Sequence, residues 1–283
     1  MTRSAKVLEA RGLHVALPDR GKKKKFFGAA PMTEILRDVD FVVGPGECVG
    51  VVGESGSGKS TLARALLRLL PASAGQVLLD GQDITHLPER ELRPLRARMQ
   101  IVFQDSQSAL NPRRRIGAAV AQPLLSYGRC GPKEAHAQSA ALLERAGLPR
   151  EFADRYPHQL SGGQRQRVGI ARAIGLEPSV VIADEIVSGL DVSVQAQILE
   201  LLRRLRDDTG MGLVLISHDL SVVRMLCDRV VVMRRGSVVE SGRTKDVFQA
   251  PTHAYTRGLL RAIPLPDVDP DWLDAVETEE ANA

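Results

Sequence analysis

Aromatic side chains are scarce in this chain: they make up 4% of its 283 residues, with a single tryptophan. The 38 Lys and Arg residues are dispersed, and no aromatic stacking set lies among them. That argues against nucleic acid as a partner, despite a net charge of +4. Cysteine is scarce too. Cys48, Cys130 and Cys227 show neither CxxC nor any other metal-ligand spacing, so they read as reduced, mostly buried thiols. No apolar run approaches the roughly 18 residues needed to cross a bilayer. Met1 to Leu8 holds no stretch long enough for a signal peptide, and the expectation is a cytoplasmic chain. From Asp267 to Glu280 basic residues are missing altogether while seven acids occur, so the body of the chain is more basic than the net charge implies.

What is present is an ordinary soluble composition, 43% hydrophobic and 25% charged, in a length that suits one large domain or two modest ones. The pattern predicts short strands at Lys6 to Ala10 and Leu13 to Leu17, then a loop with Lys22 to Lys25, Phe26 and Phe27. The lysine run reads as a solvated loop, with a segment near anionic lipid headgroups as the alternative. Ile35 to Val43 alternates like a strand, and Cys48 to Val52 is wholly apolar, as in a buried parallel strand. A helix is expected from Lys59, a hairpin around Asp80-Gly81, and another strand over Met99 to Phe103. Ser106 to Gly175 reads as helical, with one helix over Pro132 to Ala146 closed by Gly147. Strands return at Val180 to Ala183, Leu213 to Ser217, and Val230 to Met233 paired with Val238 to Glu240, separated by helices over Val192 to Arg206 and Leu220 to Leu226. Strand–helix alternation predicts a parallel α/β sheet interrupted by a helical insertion.

Three segments carry chemistry. Gly53-Glu54-Ser55-Gly56-Ser57-Gly58-Lys59-Ser60, with Thr61 next, fits the phosphate-binding loop G-x-x-x-x-G-K-[ST]. Its glycines let backbone N–H groups approach phosphate oxygens, Lys59 reaches the β and γ phosphates, and Ser60 offers a hydroxyl to Mg²⁺. A bare glycine-rich turn would not need a buried strand before it and an amphipathic helix after it. The second segment, Val180 to Glu185, ends an apolar strand in Asp184-Glu185, at the strand end where open α/β sheets place ligands. Asp184 suits a metal shell and Glu185 a general base; alone, such an ending is common. In the third, Leu160-Ser161-Gly162-Gly163-Gln164, Ser161 and Gln164 have capping-box spacing. That is a plain helix start, and also an anion site whose two glycines leave room for a phosphate.

Taken together these residues resemble an ATP-binding-cassette ATPase over nearly the whole length. The resemblance implies an α/β P-loop NTPase (RecA-like) core with an antiparallel β arm and an inserted helical subdomain. It divides the chain into core residues 1–104, a helical signature subdomain 105–178, core residues 179–250 and a tail 251–283. It also implies ATP and Mg²⁺ as cofactors, with Ser60, Gln104 and Asp184 toward the metal. Glu185, Gln104 and His218 take the catalytic roles, Gln104 as the Q-loop and His218 as the switch histidine. Asp191, in Ser188-Gly189-Leu190-Asp191, matches the loop that crosses to the partner subunit. Read singly, His218 is a strand-end histidine, and Asp191 and Asp219 are helix caps.

Ser108 to Arg113, Tyr156 to Gln159, Asp191 to Gln197 and Pro251 to Arg257, leading into Ala262-Ile263-Pro264, are similar to the oligopeptide, dipeptide and nickel importer branch. That branch implies a second homologous ATPase, two membrane permeases and an extracytoplasmic substrate-binding protein as partners, at the cytoplasmic face of the inner membrane. A soluble chromosomal or ribosomal ATPase and an exporter ATPase are the competing classes. Four departures stand out. Leu17 replaces the usual adenine-stacking aromatic, with Phe26 or Phe27 as candidate substitutes. Ile186-Val187 replaces Pro-Thr or Pro-Val after Glu185, and Ser106 replaces a proline. No cysteine follows Cys227 to hold an iron–sulfur cluster.

Overall fold

The computed structural model describes residues 7–18, 31–104 and 110–261. The expectations for Phe26, Phe27, the Lys22–Lys25 run, Asp105 to Ala109 and the acidic tail lie outside them.

Two sheets build the molecule. The smaller is antiparallel, in the order β2 (Met32–Val43), β1 (Leu8–Pro18), β4 (Ala74–Leu79) and β5 (Gln82–Asp83). The two short strands expected at the start are one: β1 runs through both, with register shifts after Ala10 and Leu13. Gly12 sits between them at φ 50°, where a left-handed residue lets a strand bulge and continue.

The larger sheet has the order β10 (Ser237–Arg243), β9 (Arg229–Arg234), β3 (Cys48–Val52), β8 (Gly212–Ile216), β7 (Val180–Asp184) and β6 (Met99–Val102). The strands from β9 to β6 are parallel, and β10 turns back antiparallel on β9. β3, β7 and β8 are buried at every position, which their unbroken apolar runs require because both faces are covered.

On one face, Val49, Val51, Ile182 and Ile216 pack with helix α1 (Lys59–Leu66) and the antiparallel arm. On the other, Val52, Val181, Ala183 and Leu215 join the helical segment between β6 and β7. That segment holds α3 (Ile116–Ser126), α4 (Ala135–Arg145), two 3-10 turns and α5 (Gly162–Ile174). α4 starts three residues later than Pro132, because Pro132 to Glu134 form a turn, and Gly147 follows it at φ 73° as the predicted stop. Helix α2 (Glu89–Arg96) was not expected from the pattern; Leu92 is buried on it and Leu95, one turn on, packs partly buried against the same core. The chain continues through α6 (Val192–Thr209), α7 (Leu220–Leu226), α8 (Thr244–Gln249) and α9 (Ala254–Arg261). Among the described residues no helix is long and apolar enough to cross a membrane.

Candidate functional site

β3 delivers the glycine loop at the centre of the parallel sheet. Gly53 has φ 147°, and a Cβ there would lie 2.2 Å from the carbonyl oxygen of Met233, so no side chain fits. Gly58, at φ 105°, precedes the first turn of α1 without a side-chain cap. The N–H groups of that turn are the ones a helix leaves without an internal partner, and they open toward the loop. The buried Lys59 ammonium donates to the carbonyls of Gly53 at 2.7 Å and Glu54 at 2.9 Å, wrapping the loop around a positive charge. Burial pushes its pKa down, while Glu185 and Asp184 pull it up.

The carboxyl ends of β7 and β8 bring three more predicted residues, Asp184, Glu185 and His218, to this side of the sheet. Ser60 Oγ donates to Asp184 Oδ1 at 3.2 Å. Asp184 closes β7 and is buried; burial raises its pKa, the Ser60 bond opposes that, and the neighbouring Glu185 adds to it. Glu185 stands at φ 50°, in the left-handed region, with its N–H donating to Ile216 O at 2.9 Å. Its Oε2 lies 3.6 Å from Nδ1 of His218, which leaves the end of β8. Ile186 and Val187, at the departure from the usual proline, are both buried and peg this turn into the core. Behind His218, Asp219 caps α7 by accepting from Ser221 N–H at 2.8 Å. Gln104 is exposed just past the end of β6, the edge strand beside β7.

The third segment stands apart. Ser161 caps α5 in the predicted reciprocal fashion: its Oγ accepts from Gln164 N–H at 3.3 Å, and its own N–H donates to Gln164 Oε1 at 2.9 Å. Gly162 and Gly163 press against the start of α6, where a Cβ on Gly163 would lie 2.4 Å from Val194 Cγ1. Asp191 caps α6, accepting from Val194 N–H at 2.9 Å and the Ser193 hydroxyl at 2.7 Å. Among the described residues, no hydrogen bond or ion pair joins Ser161–Gln164 to Gly53–Thr61. Ser161–Gln164 and Gly53–Thr61 begin two different helices, α5 and α1.

One contact at the loop escaped the motif reading. The N–H of Glu54 donates to the hydroxyl of Tyr255, on α9, at 3.1 Å. Tyr255 packs on the face of the sheet occupied by α5 and α7, whereas Leu17 packs with the arm on the opposite face.

Comparison with known proteins follows the same lines. Residues 36–188 match the family described as ABC transporter, and residues 239–283 the one described as oligopeptide/dipeptide transporter, C-terminal region. A protein of Brucella ovis named as a peptide import ATP-binding protein is 46% identical over 250 residues, covering 88% of this chain and 79% of that one. The glutathione import ATP-binding protein GsiA of Escherichia coli is 50% identical over 230 residues, 81% of this chain but 37% of the relative. Among solved structures, a dimeric ATP-binding cassette in a post-hydrolysis state with ADP and Pi superposes with a TM-score of 0.71 at 29% identity, over 84% of this chain and 98% of the other. The cbiO1 protein of Clostridium perfringens, part of the cbiONQ transporter complex, gives 0.77 at 26% identity, over 96% and 99%.

Proposed function

The chain belongs to the ABC transporter family of ATP-binding subunits and is an ATPase, and on that premise we propose that it is the motor of an importer for peptides or peptide-like cargo. The observation that carries the chemistry is the convergence of Ser60–Asp184 and Glu185–His218 on one glycine loop.

The work divides among residues already in place. Loop N–H groups and the Lys59 ammonium hold the β and γ phosphates. Magnesium suits the Ser60 hydroxyl and Asp184 carboxylate, adjacent hard oxygen donors, with Gln104 as the third candidate. When bound it neutralises charge on the transferring phosphoryl group. Glu185 accepts the proton of the attacking water, and His218 steadies both that carboxylate and the γ-phosphate. Phosphoryl transfer asks mainly for positioning and charge neutralisation, so this set is sufficient on its own side.

The Ser161 helix start completes the scheme by capping the γ-phosphate of a nucleotide held by a partner ATPase, whose own Ser161 equivalent returns the favour. Among the described residues no hydrogen bond or ion pair ties it to the loop of the same chain, and the dimeric state of a structural relative supports that reading. ATP bound between two such subunits favours the closed pair, and closure reorients the permeases. The names of the relatives in Brucella and Escherichia support a peptide or glutathione-like cargo, delivered by an extracytoplasmic binding protein; a nickel complex is the alternative from the wider branch.

The test is an affinity pull-down of tagged Glu185→Gln chain with Mg·ATP from detergent-extracted native membranes. Two multi-span permeases and a second ATPase are expected, and their companion binding protein can then be screened with peptides, glutathione and nickel. Recovery of soluble ribosomal or chromosomal proteins alone would sink the transport assignment and leave the ATPase standing.

A further inference from the structure

The C-terminal segment is fastened to the nucleotide-binding core at two points, 201 residues and 12 to 13 residues away in sequence. The near point is Glu240 on β10, whose carboxylate accepts from Thr252 N–H at 2.7 Å, the Thr252 hydroxyl at 2.8 Å and His253 N–H at 3.1 Å. Burial pushes the Glu240 pKa up, but the Thr256 hydroxyl beside it and the donors of Thr252 and His253 outweigh this and bring it to about 2. His253 Nδ1 then takes the N–H of Tyr255 at 3.1 Å, and Arg257 ties back to the carbonyls of Pro251 and Thr252. The start of α9 is therefore built around a charged anchor.

The far point is the phosphate loop itself. Glu54 N–H donates to the Tyr255 hydroxyl at 3.1 Å, a link between residues 201 positions apart in the sequence. The guanidinium of Arg234 lies over the Tyr255 ring, 4.9 Å from its centroid. Arg234 ends β9 directly after Met233, whose carbonyl crowds Gly53. Glu54 is exposed, and its carbonyl is one of the two that hold the Lys59 ammonium. Fixing the peptide N–H of Glu54 thus limits the freedom of the residue whose carbonyl the lysine grips.

We propose that Tyr255 is a positioning residue of the phosphate loop, through which the segment 251–261 sets how tightly the chain holds ATP. It touches neither phosphate nor reacting water; it acts through Glu54 and Lys59. The inference rests on the reading of Gly53–Thr61 as the ATP phosphate site. Pre-ordering that loop removes an entropic cost from binding, so its loss appears in affinity and not in turnover at saturation.

The test uses purified full-length chain with Mg·ATP for Kd, and the assembled transporter carrying the same substitution for KM and turnover. Tyr255→Phe keeps the ring, its packing and the Arg234 contact, and deletes only the hydroxyl. It is expected to raise the Kd and KM for ATP about three- to tenfold, the worth of one hydrogen bond. Turnover at saturating ATP and Tm are expected to match the parent. Lys59→Ala is measured in parallel. If Lys59→Ala weakens ATP binding while Tyr255→Phe leaves Kd and KM unchanged, the role assigned to Tyr255 is wrong and the phosphate site stands. If Lys59→Ala also leaves ATP binding intact, the phosphate-site reading falls and takes the inference with it. A Tyr255→Phe chain that loses Tm with unchanged Kd marks a merely structural residue and equally overturns the proposal.

Discussion

At the level of single residues, the reacting end of the site is held by a backbone that most side chains avoid. Glu185 lies at φ 50°, a left-handed conformation that costs a non-glycine residue on the order of 1 kcal/mol or more. The bond from its N–H to Ile216 O and the buried Ile186 and Val187 hold it there. A Glu185→Gln chain keeps that backbone and loses only the base. Steady-state ATPase assays of the assembled transporter should show turnover about 10²–10⁴-fold slower with ATP still bound; wild-type turnover would refute the assignment. Asp184 gives a second expectation. Its folded-state pKa is raised, chiefly by burial, so its contribution to stability is fullest below the unfolded pKa and is lost as pH rises through the folded one. At neutral pH the charged carboxylate is a net cost to the fold. Asp184→Asn should therefore melt a few degrees higher than the parent at pH 7, with the gap closing toward acid, while ATP hydrolysis drops. Melting curves across pH, run beside the ATPase assay, check both halves.

The elements explain what the sequence could and could not reveal. Loop, strand end and helix cap were legible because each is a contiguous segment whose chemistry demands fixed spacing: Gly53 through Ser60, Asp184-Glu185 after an apolar run, Ser161 three before Gln164. The parallel sheet was legible because strands covered on both faces carry unbroken apolar runs. By contrast α2 was hidden, since its eight residues show only one apolar pair, Leu92 and Leu95, among charged side chains and a proline. The joined β1 was hidden because a bulge at Gly12 looks like a break. Tyr255 reaching Glu54 was hidden by distance along the chain, which no local pattern encodes. The packing of α5 on α6 was equally out of view, and it carries its own expectation. A methyl on Gly163 must displace the Val194 side chain, so Gly163→Ala should cost about 1–3 kcal/mol in denaturant unfolding. Val194→Ala in the same chain should recover much of it. Additive losses would mean that the cost of the methyl does not come from Val194.

For the molecule as a whole, the glycine loop leads into α1 and Ser161 caps α5, so the two phosphate-facing segments of the proposal sit on different helices of one chain. In the proposed scheme each serves a different nucleotide, which is the basis for reading the chain as a subunit. The thiols offer a way to watch this molecule work. Cys48 and Cys227 are buried, the Cys48 thiol donating to Cys227 Sγ at 3.4 Å with no disulfide between them, burial holds the Cys227 thiol in its protonated, unreactive form, and Cys130 alone is half-exposed. A thiol-reactive chromophore should therefore modify one cysteine per native chain quickly and all three only after denaturation. Cys130 follows the Gly128 turn at the end of α3, within the helical segment that also bears Ser161. The unmutated protein thus comes with a single natural attachment point for a fluorophore on the part of the chain proposed to meet the partner, and with two silent reporters that speak only when the core opens.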